Sequence, residues 1–374
     1  MKGPILPGAT LGVLGGGQLG RMFCLAARTM GYRLVVLDPD TESPAGRIAD
    51  KHIKAGFTDN TALDELASLC DVITTEFENV PAESLRYLAR LKPVFPSAES
   101  LEISQNRDRE KQYAQSSGLK PVPYQKISDE SDLDSAADIT GFPAILKSAT
   151  MGYDGKGQAV VENSEQLKIA YTRMGHAECV LEKKINLSVE ISAIVSRNPD
   201  GESVAYPVSE NQHRNGVLHM SIVPARVDDA IALDAKKQAL ALADKMGYVG
   251  ILAVEYFVST DGELLFNEMA PRPHNSGHYT KDACVTSQFE QQVRMMCGLP
   301  PGDTRLLSPV VMVNLLGDLW DPDWITILQQ PGVKLHLYGK KEARPGRKMG
   351  HFNSLDTNIE DAIKTAEKIF EGLN

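Results

Sequence analysis

The stretch GILAVEYFVSTDGELLFNEMA, residues 250–270, decides the fold. Two apolar runs, Gly250–Val258 and Glu263–Met269, flank Asp261-Gly262, a dipeptide suited to a tight hairpin turn. A two-residue turn there stands Glu255 directly opposite Glu268, with their β-carbons about 5 Å apart. Both share a face with Ala253, Phe257 and Phe266. Carboxylates so placed repel one another unless a cation or a proton lies between them. Oxygen ligands with no His or Cys among them suit Mg²⁺ or Mn²⁺, and Mg²⁺ commonly completes its shell with nucleotide phosphates. Strand alternation turns Asn267 to the opposite face unless a local bulge redirects it.

Working outward, Lys147 ends the apolar strand Ala144–Lys147, and Gly152-Tyr153-Asp154-Gly155-Lys156-Gly157-Gln158 follows. Three glycines around a lysine make a loop whose amides can close over phosphates, although the spacing is not that of a Walker loop. On the other side of the hairpin come Arg272, His274 and Asn275, a cation for a phosphate or carboxylate beside two hydrogen-bonding side chains. A basic run, residues 339–350, contains Arg347 and Lys348 and is a candidate phosphate clamp. Flap, strand lysine and carboxylate pair together point to ATP·Mg chemistry.

The first hundred residues alternate strand and helix, which predicts a parallel sheet with ligands at the carboxyl ends of its strands. Leu11–Leu14 and Arg33–Leu37 are strands, Gln18–Met30 is a helix, and Val72–Thr75 is a strand ending in Glu76-Phe77-Glu78. Gly15-Gly16-Gly17-Gln18-Leu19-Gly20 satisfies G-x-G-x-x-G, and Asp38 ends the next strand. Alone this reads as a nicotinamide dehydrogenase. The same turn also serves other phosphorylated ligands or close helix–strand packing. Further on, strands are expected at Ala159–Val161, Val180–Lys183, Val189–Val195, Val204–Val208 and Val217–Val223. Helices are expected at Asp229–Met246 and Asn358–Phe370.

The 374 residues carry a net charge of −10, which argues against non-specific binding to nucleic acid or an anionic membrane. The five cysteines are scattered with no Cys-x-x-Cys pair, so neither a zinc site nor a disulfide framework is indicated. Met1–Pro7 is too short and broken for a signal peptide, and no apolar run approaches the ~20 residues of a membrane helix. A soluble cytoplasmic protein is expected.

Six segments carry a resemblance: GGGQLGRM at 15–22, TEFENV at 75–80, GYDGKGQ at 152–158, ENQHRNG at 210–216, NEMAPRPHNSG at 267–277 and GRKMGH at 346–351. Together they resemble the ATP-grasp superfamily, and within it the 5-(carboxyamino)imidazole ribonucleotide synthases of purine biosynthesis. The resemblance implies an α/β protein of three domains: Rossmann-like over 1–104, ATP-grasp over 105–298 with a lid at about 120–185, and a small C-terminal domain over 299–374. It implies ATP-dependent, biotin-free carboxylation of 5-aminoimidazole ribonucleotide by bicarbonate through carboxyphosphate, in a homodimer. Arg107 and Lys147 would contact ATP phosphates, Gly152–Gln158 would cover them, Glu182, Lys183, Lys184 and Ile185 would meet adenine through the backbone, and Glu190 and His213 would line the nucleotide pocket. Glu255 and Glu268 would hold metal beside Asn267. Glu76, Tyr153, Asp154, Lys156, Arg272, His274, Asn275, Arg347 and Lys348 would serve the ribonucleotide and bicarbonate. The related enzyme that formylates glycinamide ribonucleotide with formate is the nearest alternative, and the dehydrogenase is the alternative from another class.

Overall fold

A computed structural model describes residues 3–150, 152, 157–319 and 324–373. The N-terminal part is a five-stranded parallel sheet in the order Lys51–Ile53, Arg33–Leu37, Thr10–Leu14, Val72–Thr75, Val94–Phe95. Its central strand Thr10–Leu14 is buried throughout, as a strand covered on both faces must be. Helix Gln18–Thr29 presses Leu19, Met22 and Phe23 onto it and stops where Gly31 takes φ +86°. The short strand Lys51–Ile53 and the helix Asn60–Leu69 were not foreseen. That helix is capped by Asp59, whose side chain accepts from the amides of Thr61 and Ala62, and it buries Leu63, Leu66 and Ala67.

The expected lid is a four-stranded sheet, ordered Tyr124–Ile127, Cys179–Lys183, Ala144–Ser148, Gln158–Val161. Helices Leu133–Thr140 and Ser164–Arg173 cover it through a core of its own that includes Leu133, Leu146, Leu167, Tyr171 and Leu181.

The third sheet has nine strands. Its main path runs Leu264–Ala270, Gly250–Ser259, Leu187–Arg197, Ser209–Arg214, Val217–Val223, Val310–Leu316, Lys348–Leu355, Val333–Leu337, with Ser203–Ala205 paired to Leu187–Arg197. The C-terminal segment has no sheet to itself: its strands extend the sheet of the middle segment. Val310–Leu316 pairs directly with Val217–Val223, Met220 facing Val313. Ser209–Arg214 was missed because hydrophobic patterning carries no signal for SENQHR. Its polar side chains are matched within the protein, Glu210 by Arg226 and Asn211 by Ser192 and Ser221. Helix Asp229–Lys245 packs Ala235, Ala239, Leu242 and Ala243 on one end of the sheet, and Ile359–Gly372 packs Ala362, Ala366 and Ile369 on the other.

The hairpin corrects the expected turn. Thr260, Asp261 and Gly262 form the loop, with Gly262 at φ +79° and its N–H donating to Ser259 O at 2.9 Å. The longer loop shifts the register, so Phe257 faces Leu265 and Tyr256 faces Phe266. A bulge at Asn267 then shifts it back, and Glu255 does face Glu268. Two departures from the simple hairpin cancel at the pair that matters.

Candidate active site

The two glutamates face each other across the strands and each has a cationic or proton-bearing neighbour. Arg107 Nη1 lies 2.8 Å from Glu268 Oε2, and His274 Nε2 lies 3.1 Å from Glu255 Oε1. Burial acts to raise the Glu268 carboxyl, but Arg107, Lys147 and His274 outweigh it and hold the group at about 2. Ser276 N–H donates to His274 Nδ1 at 3.3 Å, which leaves the ring proton on Nε2, toward Glu255. Beside them, the Asn267 side chain is buried and its Oδ1 has no partner. Two opposed carboxylates with an orphaned amide oxygen form an all-oxygen donor set that suits a hard divalent cation. Among the described residues no cluster of three or more His, Cys, Asp or Glu forms a protein-only metal cage.

The strand runs one residue past the expected end, to Ser148, and within it Lys147 stands directly opposite Gln158, the last residue of the glycine-rich segment. Tyr153, Asp154, Gly155 and Lys156 lie outside the described residues. Gly152 and Gly157 flank them, and Gly157 takes φ +72°. Lys147 Nζ is 2.7 Å from Glu182 Oε2, and Lys111 Nζ is 3.0 Å from Glu182 Oε1. Burial alone would raise the Glu182 carboxyl, but the two ammonium groups bring it down to about 2. The amides of Lys183 and Lys184 donate to Pro123 O and Pro143 O, at 2.8 and 3.1 Å. Of the expected adenine contacts, those two amides are already used. Glu190 meets His213 Nδ1 at 2.7 Å; burial disfavours the imidazolium, but the carboxylate prevails and raises its pKa. Lys348 is close enough to oppose that effect, which brings the basic C-terminal loop to the same side. Arg347 turns one guanidinium N–H to Glu342 O at 2.9 Å.

The glycine turn overturns the dinucleotide alternative. Gly16 N–H donates to Asp38 Oδ2 at 2.6 Å, and the amides of Gly17 and Gly20 donate to the two oxygens of Glu76 at 2.5 and 2.6 Å. The amides that would cradle a pyrophosphate are filled by the protein's own carboxylates. Burial is the main reason the Glu76 pKa is raised, although both amides pull the other way. Arg272 forms a fork with Glu78, Nη2 to Oε1 at 3.0 Å and Nε to the other oxygen. Asn275 is buried with neither amide atom partnered.

Sequence reasoning passed over Glu78, Glu110 and Lys111. Glu78 carries a signal, since it shares the strand-end segment with Glu76. Glu110 and Lys111 are inconspicuous because they sit in the polar run RDREKQ. Yet Arg107, Glu110, Lys111 and Ala114 fall at i, i+3, i+4 and i+7, a buried helical face that is mostly charged. Burial and the Glu268 charge raise the Glu110 pKa.

Three family models match in chain order: a ribonucleotide synthetase preATP-grasp domain over 8–105, an ATP-grasp domain over 112–289, and a phosphoribosylaminoimidazole carboxylase C-terminal domain over 310–365. N5-carboxyaminoimidazole ribonucleotide synthase of Bacillus subtilis is 46% identical over 352 residues, covering 93% of this chain and 91% of its own. The chain belongs to the N5-carboxyaminoimidazole ribonucleotide synthase family. The Staphylococcus aureus synthase is 39% identical over 368 residues, 98% of each chain. A synthetase of the family solved as its ADP complex superposes with a TM-score of 0.96 at 45% identity, covering 99% of this chain and 98% of that one. The Aspergillus clavatus synthase, solved with ADP and 5-aminoimidazole ribonucleotide, gives 0.91 at 30% identity over 98% of both chains. As a member of the synthase family the chain is an ATP-dependent ligase with the three-part ATP-grasp architecture.

Proposed function

We propose that this chain carboxylates the exocyclic amine of 5-aminoimidazole ribonucleotide with bicarbonate and ATP, giving 5-(carboxyamino)imidazole ribonucleotide, ADP and phosphate. The observation that carries the reading is the opposed pair Glu255 and Glu268, with the orphaned Asn267 Oδ1 beside it and Arg107 and Lys147 in reach. Those three oxygen donors would hold Mg²⁺, or Mn²⁺ in its place. The ion, when bound, neutralises phosphate charge. Arg107 and Lys147 bind the phosphates, and residues 152–158 cover them. The backbone of 182–185 faces adenine through its carbonyls and Ile185, while Glu190, paired to His213, takes the ribose.

A bicarbonate oxygen attacks the γ-phosphorus in line, and the bond to the β-phosphate oxygen breaks, leaving ADP. The C–O bond of the carboxyphosphate so formed breaks, giving CO₂ and inorganic phosphate beside the amine. The amine nitrogen forms a new N–C bond to CO₂ and its proton passes to the phosphate. The protein's share is positioning and charge stabilisation. Glu76, Tyr153, Asp154, Lys156, Arg272, His274, Asn275, Arg347 and Lys348 are assigned to the ribonucleotide and bicarbonate, and no biotin is required. Solution as a homodimer and a cytoplasmic location complete the reading. Among the described residues no helix is long and apolar enough to cross a membrane.

The test is ATP cleavage with each ribonucleotide and each small acid in turn. 5-Aminoimidazole ribonucleotide with bicarbonate is expected to stimulate it, with oxygen-18 passing from labelled bicarbonate into phosphate. Stimulation by glycinamide ribonucleotide and formate instead would transfer the assignment to the formylating relative.

A further inference from the structure

Strand Leu264–Ala270 is an edge of the nine-stranded sheet, so one side of its backbone lacks a strand neighbour. At Phe266 that side is met by the segment entering the small sheet. Phe266 N–H donates to Lys120 O at 2.7 Å, and Val122 N–H donates to Phe266 O at 3.0 Å. From Asn267 onward side chains take over. Lys111 Nζ donates to Asn267 O at 3.0 Å, and Met269 N–H donates to Glu110 Oε1 at 2.6 Å. Lys111 is wholly enclosed and Glu110 is 2% exposed.

The two backbone groups so held flank Glu268 on either side, at the bulge that brings it opposite Glu255. Arg107, one turn earlier on the same helix face, holds the Glu268 carboxylate itself. A buried edge needs its N–H and C=O groups matched, but burying two ionisable side chains for that purpose is costly. Lys111 also reaches Glu182, which in turn holds Lys147. One helix face therefore touches both the metal-binding strand and the phosphate-binding lysine's partner.

We propose that Glu110 and Lys111 are positioning residues, which hold the bulge that aims Asn267 and Glu268 at the metal and nucleotide and tie it through Glu182 to Lys147. The proposal rests on the metal and nucleotide reading given above. A pair that only stabilised the fold would lower the unfolding midpoint and leave the metal dependence of nucleotide binding alone.

The experiment is calorimetric titration of ADP into each folded variant over a range of Mg²⁺ concentrations, with circular dichroism and KM for the ribonucleotide alongside. Lys111→Met and Glu110→Ala are expected to weaken the Mg²⁺-dependent part of ADP affinity about tenfold or more, the scale seen when outer partners of metal ligands are removed. ADP affinity without Mg²⁺ should stay near wild type for Glu110→Ala and fall for Lys111→Met, which also takes one ammonium from Glu182, and KM for the ribonucleotide should stay near wild type in both. Glu110→Gln keeps an oxygen that accepts from Met269 N–H and should restore wild-type Mg²⁺ dependence. Should Lys111→Met fail to fold, Glu110→Asp carries the test, since it withdraws the carboxyl by one methylene and should weaken the Mg²⁺ dependence. Folded variants with wild-type Mg²⁺ dependence, or a Glu110→Gln variant as impaired as Glu110→Ala, would overturn the proposal. If wild-type ADP affinity does not respond to Mg²⁺ at all, the underlying reading fails first, before any variant is compared.

Discussion

Glu182 is buried against two ammonium groups, and that determines how it responds to acid. Its folded carboxyl sits at about 2 against an ordinary 4.5, so the stabilisation it supplies is full above 4.5 and is lost as pH falls toward 2. Glu182→Gln leaves Lys111 and Lys147 without their counter-charge, a change that costs about 3–5 kcal/mol when a buried pair is broken. In urea titrations the gap between wild type and variant should be wide at pH 7 and should narrow as pH falls below 4.5. A gap that stays constant with pH would mean the carboxylate is not the stabilising form. Glu268 tests the chemistry instead. Glu268→Gln should lower turnover roughly 10²-fold or more, the scale of losing an electrostatic stabiliser at the reacting phosphate. The fold should persist, because the amide oxygen still accepts from Arg107 and the repulsion with Glu255 is removed. Wild-type turnover at saturating Mg²⁺ would remove Glu268 from the metal site.

At the scale of the element, the hairpin that carries Lys147 depends on Gly157. Its φ is +72°, and a β-carbon there would stand 2.6 Å from Ser148 Oγ, while Ser148 N–H donates to Gly157 O at 2.8 Å. Gly157→Ala is therefore both strained, by about 1–3 kcal/mol, and crowded at the residue following Lys147, the proposed phosphate ligand. KM for ATP should rise several-fold. Gly118→Ala provides the comparison, since Gly118 has φ +88° but nothing within 4 Å of the added carbon. It should lose stability and keep its KM. Equal KM values in the two variants would separate the glycine-rich hairpin from phosphate binding.

Across the whole molecule, the parallel sheet and the nine-stranded sheet meet through a shared apolar core, in which Phe289, Val293 and Met296 pack with Leu19 and Phe23, and through a few polar ties. Gln292 on helix Gln288–Met296 accepts from Ile251 N–H at 2.6 Å in the nine-stranded sheet and donates to Thr74 Oγ1 at 3.1 Å in the parallel one. The Arg272–Glu78 fork spans the same boundary. Because Val310–Leu316 pairs with Val217–Val223, a chain ending at residue 298 would bare the edge of a buried strand. Such a chain should aggregate or lack cooperative unfolding and should not bind ADP. A soluble, cooperative 1–298 chain with wild-type ADP affinity would show that the last quarter is dispensable to the sheet.

The βαβ order of Thr10–Leu14, Gln18–Thr29, Arg33–Leu37 and Val72–Thr75, three of the four strands of the small sheet, and the opposition of Glu255 and Glu268 were legible in the residues themselves, whereas the lid and a role for Arg107 came only with the resemblance. Apolar period, glycine and proline punctuation, and local motifs report on neighbours a few residues away, and those features are local. Tertiary structure decided the rest. Whether the G-x-G-x-x-G turn met a cofactor or a side chain depended on Glu76, which arrives from 56 residues beyond Gly20. Asn267 reaches its place because two register shifts cancel, and a turn dipeptide cannot disclose a bulge six residues away that partners on another helix hold in place. Ser209, Glu210 and Asn211 and the face bearing Glu110 and Lys111 are buried through polar matching, not hydrophobicity. Such matching is visible only once distant donors and acceptors have been brought together.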